Sequence, residues 1–298
     1  MVLDFAQLER FRREGGVFRV TPGIRLRVSG ADAFRYLNGQ ITRDLKRLGD
    51  HEALPACILT PRGKLSAVLT IHREGEDLIV ESDAEVGEAL AERLERYLVA
   101  DDVLITEESW KERIHLFGEA AQQDKRSLVD ESPGIVAISR LGVPGFDIPA
   151  DTIDLGYAGL GLLAPSVVEI LRIERGIPAW GLEIGPDTLP PEAGLDRTSI
   201  DYDRGCYPGQ EVISRLKSIG RVNRLLHGFR GDGLRPEMKI LSPDGGKLGT
   251  LTSVAGLPGT TDCVALGYLP RGTQGPLFAS DPLTGEGTPL SITAIFGT

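Results

Sequence analysis

Asp203-Arg204-Gly205-Cys206-Tyr207-Pro208-Gly209-Gln210-Glu211, running on to Arg215, is the stretch around which the chain is read. Gly205 and Pro208-Gly209 break regular structure, because glycine tolerates positive φ and proline fixes φ and lacks a donor. Pro208-Gly209 marks a turn. A thiol, a phenol, an amide and a carboxylate crowd into this loop, and such loops carry function on many scaffolds. Two readings stand at this point: a tight turn with a buried cysteine, or a site. A guanidinium from Arg204, or from Arg215 if Glu211–Lys217 is helical, would favour the thiolate of Cys206. Glu211 and Arg215, spaced i,i+4, can equally form a plain ion pair.

Outward from that loop, composition narrows the classes. The chain has 298 residues, 41% hydrophobic and 26% charged, with net charge −10. About two domains are expected from that length. The acidic balance argues against broad nucleic-acid or anionic-membrane binding, yet leaves room for a local basic pocket. Cys57, Cys206 and Cys263 are three, far apart, and form no C-x-x-C, which fits a reducing compartment. With no leader-like start and no apolar run of about 20 residues, a cytoplasmic location is expected.

Taken in order, residues 4–14 have helical spacing, with Gly15-Gly16 as the stop. Strands are expected at 17–20 and 24–28. A short helix holding Phe34 and Leu37 ends in Asn38-Gly39-Gln40-Ile41-Thr42, with Gly39 as its C-cap. There Asn38 and Gln40 can offer amide donors and acceptors to a heterocycle. A three-strand meander follows from 56 to 80, turning at Pro61-Arg62-Gly63 and at Glu74-Gly75-Glu76. A helix over 84–98 opens on Ser82-x-x-Glu85 as a capping box. Further strands are expected at 103–106, 113–117, 135–139 and 141–148, the last interrupted by Pro144-Gly145, with a polar loop over 121–133. A helix starts at Pro165-Ser166 and ends at Gly176. The Gly- and Pro-rich stretch 177–199 carries Trp180, Glu183, Glu192 and Arg197, and a loop that long is functional or wraps another element. Sheet strands with one-sided helices give an α+β body. After residue 222 short apolar runs alternate with turn residues, as in a small β-barrel. The expected division is 1–222, as two α+β subdomains, one over roughly 50–134, and 223–298 as the barrel.

Motif chemistry excludes several classes. His51, His72, His115 and His227 are isolated, so no metal site is expected, and three cysteines cannot supply four cluster thiolates. No Gly-x-Ser-x-Gly elbow and no nucleotide-phosphate glycine motif occurs.

Gly205-Cys206-Tyr207-x-Gly209-Gln210-Glu211-x-x-x-Arg215 resembles the signature of the YgfZ/GcvT family, and more narrowly its YgfZ branch of folate-binding proteins. Tyr36-Leu37-Asn38-Gly39-Gln40-Ile41-Thr42-x-Asp44-Leu45, Pro61-x-Gly63-Lys64, Arg172-Ile173-x-x-Gly176-Ile177-Pro178, Leu189-Pro190-x-Glu192, and the tail stretches 248–253 and 265–268 resemble further family segments, so the likeness spans most of the chain. It implies a GcvT-like folate-binding α+β body with ferredoxin-like halves plus a C-terminal β-barrel. It implies tetrahydrofolate or a derivative as cofactor, with Asn38, Gln40, Trp180 and Tyr207 toward the pterin and Lys64, Arg172 and Arg215 toward the glutamyl tail. Gln210 and Glu211 would line the same pocket, and Cys206 would be the reactive thiol. The function implied is an accessory role in assembly or repair of iron–sulfur enzymes, with an indirect effect on tRNA modification. Its partners would be a reduced folate and iron–sulfur enzymes or assembly factors. The alternatives are a folate-dependent one-carbon transferase or demethylase, and an adaptor that binds no folate.

Two departures bear on this. The family usually carries lysine where this chain has Arg204, which replaces a point charge by a planar fork. The aminomethyltransferase branch carries an aspartate within the segment that here reads Gly63-Lys64-Leu65-Ser66-Ala67-Val68-Leu69, and a folate-binding glutamate near what is here Val143. Neither carboxylate is present, which argues against the glycine-cleavage reaction.

Overall fold

Alternation along the strands sorts the chain into two antiparallel sheets and a closed barrel. The computed structural model describes residues 5–119, 121, 134–152, 162–281, 285 and 287–296. Helix α1 (Phe5–Glu14) runs directly into β1 (Gly15–Arg19). The expected stop is thus the first residue of a strand: Gly15 turns the chain at φ 87°, and a Cβ there would lie 2.0 Å from the Phe117 carbonyl. Strand β2 (Gly23–Ser29), α2 (Ala33–Gln40), β3 (Leu54–Leu59), β4 (Leu65–Glu74), β5 (Asp77–Asp83), α3 (Gly87–Glu95) and β6 (Leu104–Glu108) follow. They build a five-stranded sheet in the order β3-β4-β5-β2-β6. On one face, Leu26, Val28, Ile58, Leu69, Ile71 and Val80 meet Leu37 of α2 and Leu90 and Leu94 of α3. That packing of apolar faces stabilises the pair of layers by about 25 cal/mol per Å² buried.

Strands β7 (Arg113–Gly118), β8 (Val136–Ile138) and β9 (Gly145–Pro149) join β1 in the order β1-β7-β9-β8. The strand pairing divides the body elsewhere than at residues 50 and 134, because β2 sits inside the first sheet and β7 inside the second. Helix α4 (Pro165–Glu174) and α5 (Gln210–Ser218) precede the barrel. Strands β10 (Arg224–Asp232), β11 (Lys239–Leu241), β12 (Lys247–Gly256), β13 (Asp262–Pro270), β14 (Leu277–Ser280) and β15 (Gly287–Ile295) close it in the order β10-β13-β12-β11-β14-β15. Closure removes the free strand edges of an open sheet.

Several local expectations are corrected. Gly39 lies inside α2, and the cap is Ile41 in extended conformation. No capping box forms at α3: Ser82 belongs to β5 and its hydroxyl donates to the Val68 carbonyl at 2.8 Å. The helix opens as a 3-10 turn at Ala84–Val86 and ends at Glu95, leaving Tyr97 exposed. Residues 141–144 form a turn, not the first half of a strand, because Pro144 cannot donate to a ladder. The expected polar loop 121–133 lies, but for Ala121, outside the described residues.

Where the two sheets meet, their facing side chains are ionic. Arg25, wholly buried, donates to Glu81, Glu74 and Glu108. Arg113 donates to the same Glu81 through both terminal nitrogens. Asp147 accepts from Arg140 and from the His115 ring at 2.8 Å. A buried charge is tolerated only when paired and hydrogen-bonded in this way. A second hub joins body to barrel. Glu183 accepts from Arg172, from the Ala179 N–H and from the Thr252 and Ser253 hydroxyls of β12. The Tyr268 hydroxyl of β13 donates to the Glu183 carbonyl at 2.9 Å. Among the described residues no helix is long and apolar enough to cross a membrane.

Candidate functional site

The loop 203–209 leads into α5 and is braced from three sides. Arg204 donates to the carbonyls of Asn38, Ile41 and Arg43, and its Nε donates to Gly205 at 3.0 Å. These carbonyls stand at and just beyond the C-terminus of α2, where backbone acceptors lack helical partners and a cation is favoured. The Arg204 fork therefore serves as a brace, and burial lowers its pKa. Tyr207 is buried against Cys57, Leu59, Leu65 and Ile213, and burial pushes its phenol up to about 12. Thr42 ties the α2 end to β3 and to the Ser199 carbonyl, and Asp201 accepts from Arg43 and from the Asp44 N–H. Cys206 projects from this frame as an exposed free thiol, whereas Cys57 and Cys263 are buried. Burial pushes the Cys57 thiol up to about 12.

Gly209 holds the frame's tightest contact. It caps α5 at φ 84°, and a Cβ there would lie 2.5 Å from the Thr60 carbonyl and 3.1 Å from Gly63 Cα. Gly209→Ala should lower stability by roughly 1–3 kcal/mol from the left-handed backbone alone, and the close carbonyl adds to that. The urea midpoint followed by circular dichroism reads it out; an unchanged midpoint would contradict the left-handed cap.

The remaining predicted residues are not gathered in one pocket. Asn38 Oδ1 accepts from the Leu45 N–H at 2.8 Å, and Gln40 Oε1 accepts from Arg93 at 3.1 Å. Both amide oxygens hold the α2 end in place. Lys64 pairs with Asp187 at 2.5 Å. Gln210 reaches the Arg204 carbonyl at 3.4 Å. Glu211 and Arg215 are exposed and do not pair with each other among the described residues. Trp180 is half-buried and packs between two core clusters. Arg172 alone of these lines the crevice described next.

That crevice, of about 290 Å³, is walled by Phe18 of β1, Val68 and Thr70 of β4, Glu81 and Asp83 of β5, Trp110, Arg140, and Val168 and Arg172 of α4. Three groups there have capacity to spare. Among the described residues the buried Trp110 Nε1 has no partner. Asp83 carries no ion pair among the described residues, and desolvation, with Glu85 nearby, raises its pKa. Arg140 spends Nε and Nη2 on Asp147, which leaves Nη1. An indole wall, a carboxylate and a guanidinium suit a flat heterocycle with an amide-like edge. Sequence reading missed all three. Trp110, standing among charged residues in Glu107-Glu108-Ser109-Trp110-Lys111, was the signal available. A larger cavity of about 1060 Å³ is lined by His72, Glu74, Lys111 and Arg113, with Lys111 and Arg113 paired to Glu74 and Glu81 and Arg19 to Glu112, while Arg73 makes no ion pair among the described residues. No group of three metal-ligating side chains occurs among the described residues.

This architecture is that of the glycine-cleavage aminomethyltransferases. The structure of aminomethyltransferase T from Bartonella henselae superposes with a TM-score of 0.79 at 20% identity, covering 97% of this chain and 88% of that one. In sequence, the chain is 27% identical over 229 residues to the tRNA-modifying protein YgfZ of Enterobacter sp., covering 70% of this chain and 69% of the relative. It is also 27% identical over 302 residues to an aminomethyltransferase of Rubrobacter xylanophilus, covering 91% and 80%. No protein-family model matches. In sequence and fold the chain is similar to the YgfZ/GcvT proteins.

Proposed function

We propose that the chain is a tetrahydrofolate-binding accessory protein of YgfZ type, acting in the cytoplasm on assembly or repair of iron–sulfur enzymes and through them on tRNA modification. The observation that carries the accessory reading over a transferase is the crevice face of β4. It presents Val68 and Thr70 where the resemblance puts a catalytic aspartate nearby, and no acid stands between Pro61 and His72. A carboxylate aimed at the reacting atoms is what general acid–base work would need. The carboxylates that do reach the crevice serve otherwise: Glu81 is held by Arg25 and Arg113, and Asp83 stands at the mouth. Cys206, exposed on a braced loop, is the group offered to a client protein.

Titration calorimetry with tetrahydrofolate should give saturable heat, and no methylamine donor should be turned over to a methylene- or formyl-folate. Turnover would favour the transferase, and absence of heat at high ligand would favour an adaptor. Cys206→Ala should fold normally, since the thiol is exposed, and should impair maturation of iron–sulfur enzymes in cells. Normal maturation would reduce Cys206 to a surface residue.

A further inference from the structure

Among the described residues, all strand edges but one are covered. In the second sheet, Val17 of β1 bridges to Leu162, and its carbonyl accepts from the Leu163 N–H. At the far side of that sheet, Ala137 of β8 bridges to Glu52; its N–H donates to the His51 carbonyl, and its carbonyl accepts from the Ala53 N–H. In the first sheet, Ile58 of β3 bridges to Ile41, and the Cys57 carbonyl accepts from the Thr42 N–H. The barrel is closed. Strand β6 alone has β2 on one side and, among the described residues, no strand or bridge on the other.

Alternation identifies the groups on that open side. Gly75-Glu76 closes the β4–β5 hairpin on the pair Glu74–Asp77, and the pair that closes a two-residue turn exchanges hydrogen bonds. The alternation carries across the sheet, because the β4–β5, β5–β2 and β2–β6 registers have no shift. Asp77, Ile79 and Glu81 turn to β4, so Leu78, Val80 and Ser82 turn to Val28, Leu26 and Ile24 of β2. Arg25, Arg27 and Ser29 therefore bond Glu108, Thr106 and Leu104 of β6. Ile105 and Glu107 are left with N–H and C=O directed outward.

An open edge is a template for another chain, and proteins blunt it with proline, lysine, a bulge or a cover. Strand β6 reads Leu104-Ile105-Thr106-Glu107-Glu108 and has none of these. Its surroundings are apolar and acidic. Val103 and Ile105 pack beside Ala91 of α3 and are only partly buried, and Leu104 is 63% exposed. Glu88 and Glu95 share the Ala91 stripe of α3. They are exposed, as are Asp102 and Glu107, and none of the four has an ion pair among the described residues. Against them stands one exposed cation at the end of α3, Arg96. A second copy would bring the same acidic margin and another net charge of −10 to the edge, and like charges across an interface are costly.

We propose that β6 is a docking strand, which takes an extended basic segment of a partner protein as a further strand of the sheet. Main-chain hydrogen bonds to Ile105 and Glu107 supply the affinity, and the surrounding carboxylates select the charge. The docking strand stands whether or not the crevice binds a folate.

Amide hydrogen exchange of the full chain, read residue by residue by NMR, tests this with a short capped peptide of alternating lysine and valine. At saturating peptide the Ile105 and Glu107 amides should exchange about tenfold or more slowly, as hydrogen-bonded amides do. The same peptide with glutamate for lysine, and the lysine peptide N-methylated at every residue, should leave both rates unchanged. Salt at ~1 M, which screens charges beyond about 3 Å, should weaken binding. Glu107→Pro removes an outward donor and keeps the ladder to β2, so it should abolish the protection, whereas Glu107→Gln should keep it at lower affinity. If the proline variant does not fold, the N-methylated peptide decides the same point. Protection by the glutamate or N-methylated peptide, or none by the lysine peptide, would overturn the proposal. So would Ile105 and Glu107 amides already protected in a chain that sediments as a dimer, since a second copy would then occupy the edge.

Discussion

Glu183→Ala should lower the free energy of unfolding by about 3–5 kcal/mol, the range for removing one partner of a buried charged pair. The carboxylate is almost wholly buried. It accepts from Arg172 and the Ala179 N–H at 3.0 Å each, and from the Thr252 and Ser253 hydroxyls at 2.6 Å each. Alanine would leave Arg172 short of its buried counter-charge and the Ala179 N–H and Ser253 hydroxyl without this acceptor, while Thr252 keeps the Leu266 carbonyl at 3.1 Å. Desolvated donors left unmade are expensive, whereas a bond replaced from both sides is nearly neutral. Thr252→Val, which removes one neutral contributor, should therefore cost only about 1 kcal/mol. Urea unfolding of the two variants beside the parent measures the difference. Equal midpoints for Glu183→Ala and the parent would mean that the hub does not fasten body to barrel.

Acidification should destabilise the fold well before its carboxylates titrate. His72, buried between the sheets, has its pKa pushed down to about 3 by burial, with Arg113 and Arg25 adding to the effect. Burial also lowers His115 and His227. An unfolded histidine takes a proton near pH 6.5. Below that pH the unfolded chain holds more protons than the folded one, so stability falls as pH falls. His72 contributes a slope of about 1.4 kcal/mol per pH unit, and His115 and His227 act in the same direction. For His72 the loss runs from about pH 6.5 down to about 3. Carboxylates with depressed values add their own loss lower down: Glu74, held at about 2 by Arg27 and Arg25 against desolvation, loses its stabilising contribution as pH falls from 4.5 toward 2. Urea midpoints at pH 7.5, 6.0 and 5.0 should decline stepwise, and His72→Phe should flatten the decline by about 1.4 kcal/mol per unit. A stability that is level from pH 7.5 to 5.0 would show that these histidines are not held neutral.

Much of the scaffold was legible because its signals are local. Alternation in Ile24-Arg25-Leu26-Arg27-Val28 gave β2, and Pro61-Arg62-Gly63 closes the hairpin between β3 and β4 as its turn chemistry requires. Pro165 opens α4 at its first turn. The misses share a cause. Ser82 looks like a cap by spacing, but the ladder to β2 claims it for β5. Gly39 looks like a stop, but α2 continues past it until Arg204, 163 residues from Ile41, takes the carbonyls beyond the helix end.

What the sequence by itself determined is the kind of molecule: an α+β body with a terminal barrel, a shaped loop at Arg204–Arg215 with Cys206 on it, and a crevice segment without the transferase carboxylates. The body, barrel and loop follow from periodicity and turn residues, which act over a few positions, and the missing carboxylates follow from the resemblance to the family. Only the tertiary structure decided which charges are spent and which are free. Lys64, Arg172, Asn38 and Gln40 read as ligand groups in the chain, and each has side-chain atoms committed to partners that folding brings to it. Asp83, Trp110 and Arg140 have no common motif in the sequence, yet they line one crevice. A side chain becomes available for binding when folding leaves it without a partner, and that is settled by contacts far apart in the chain.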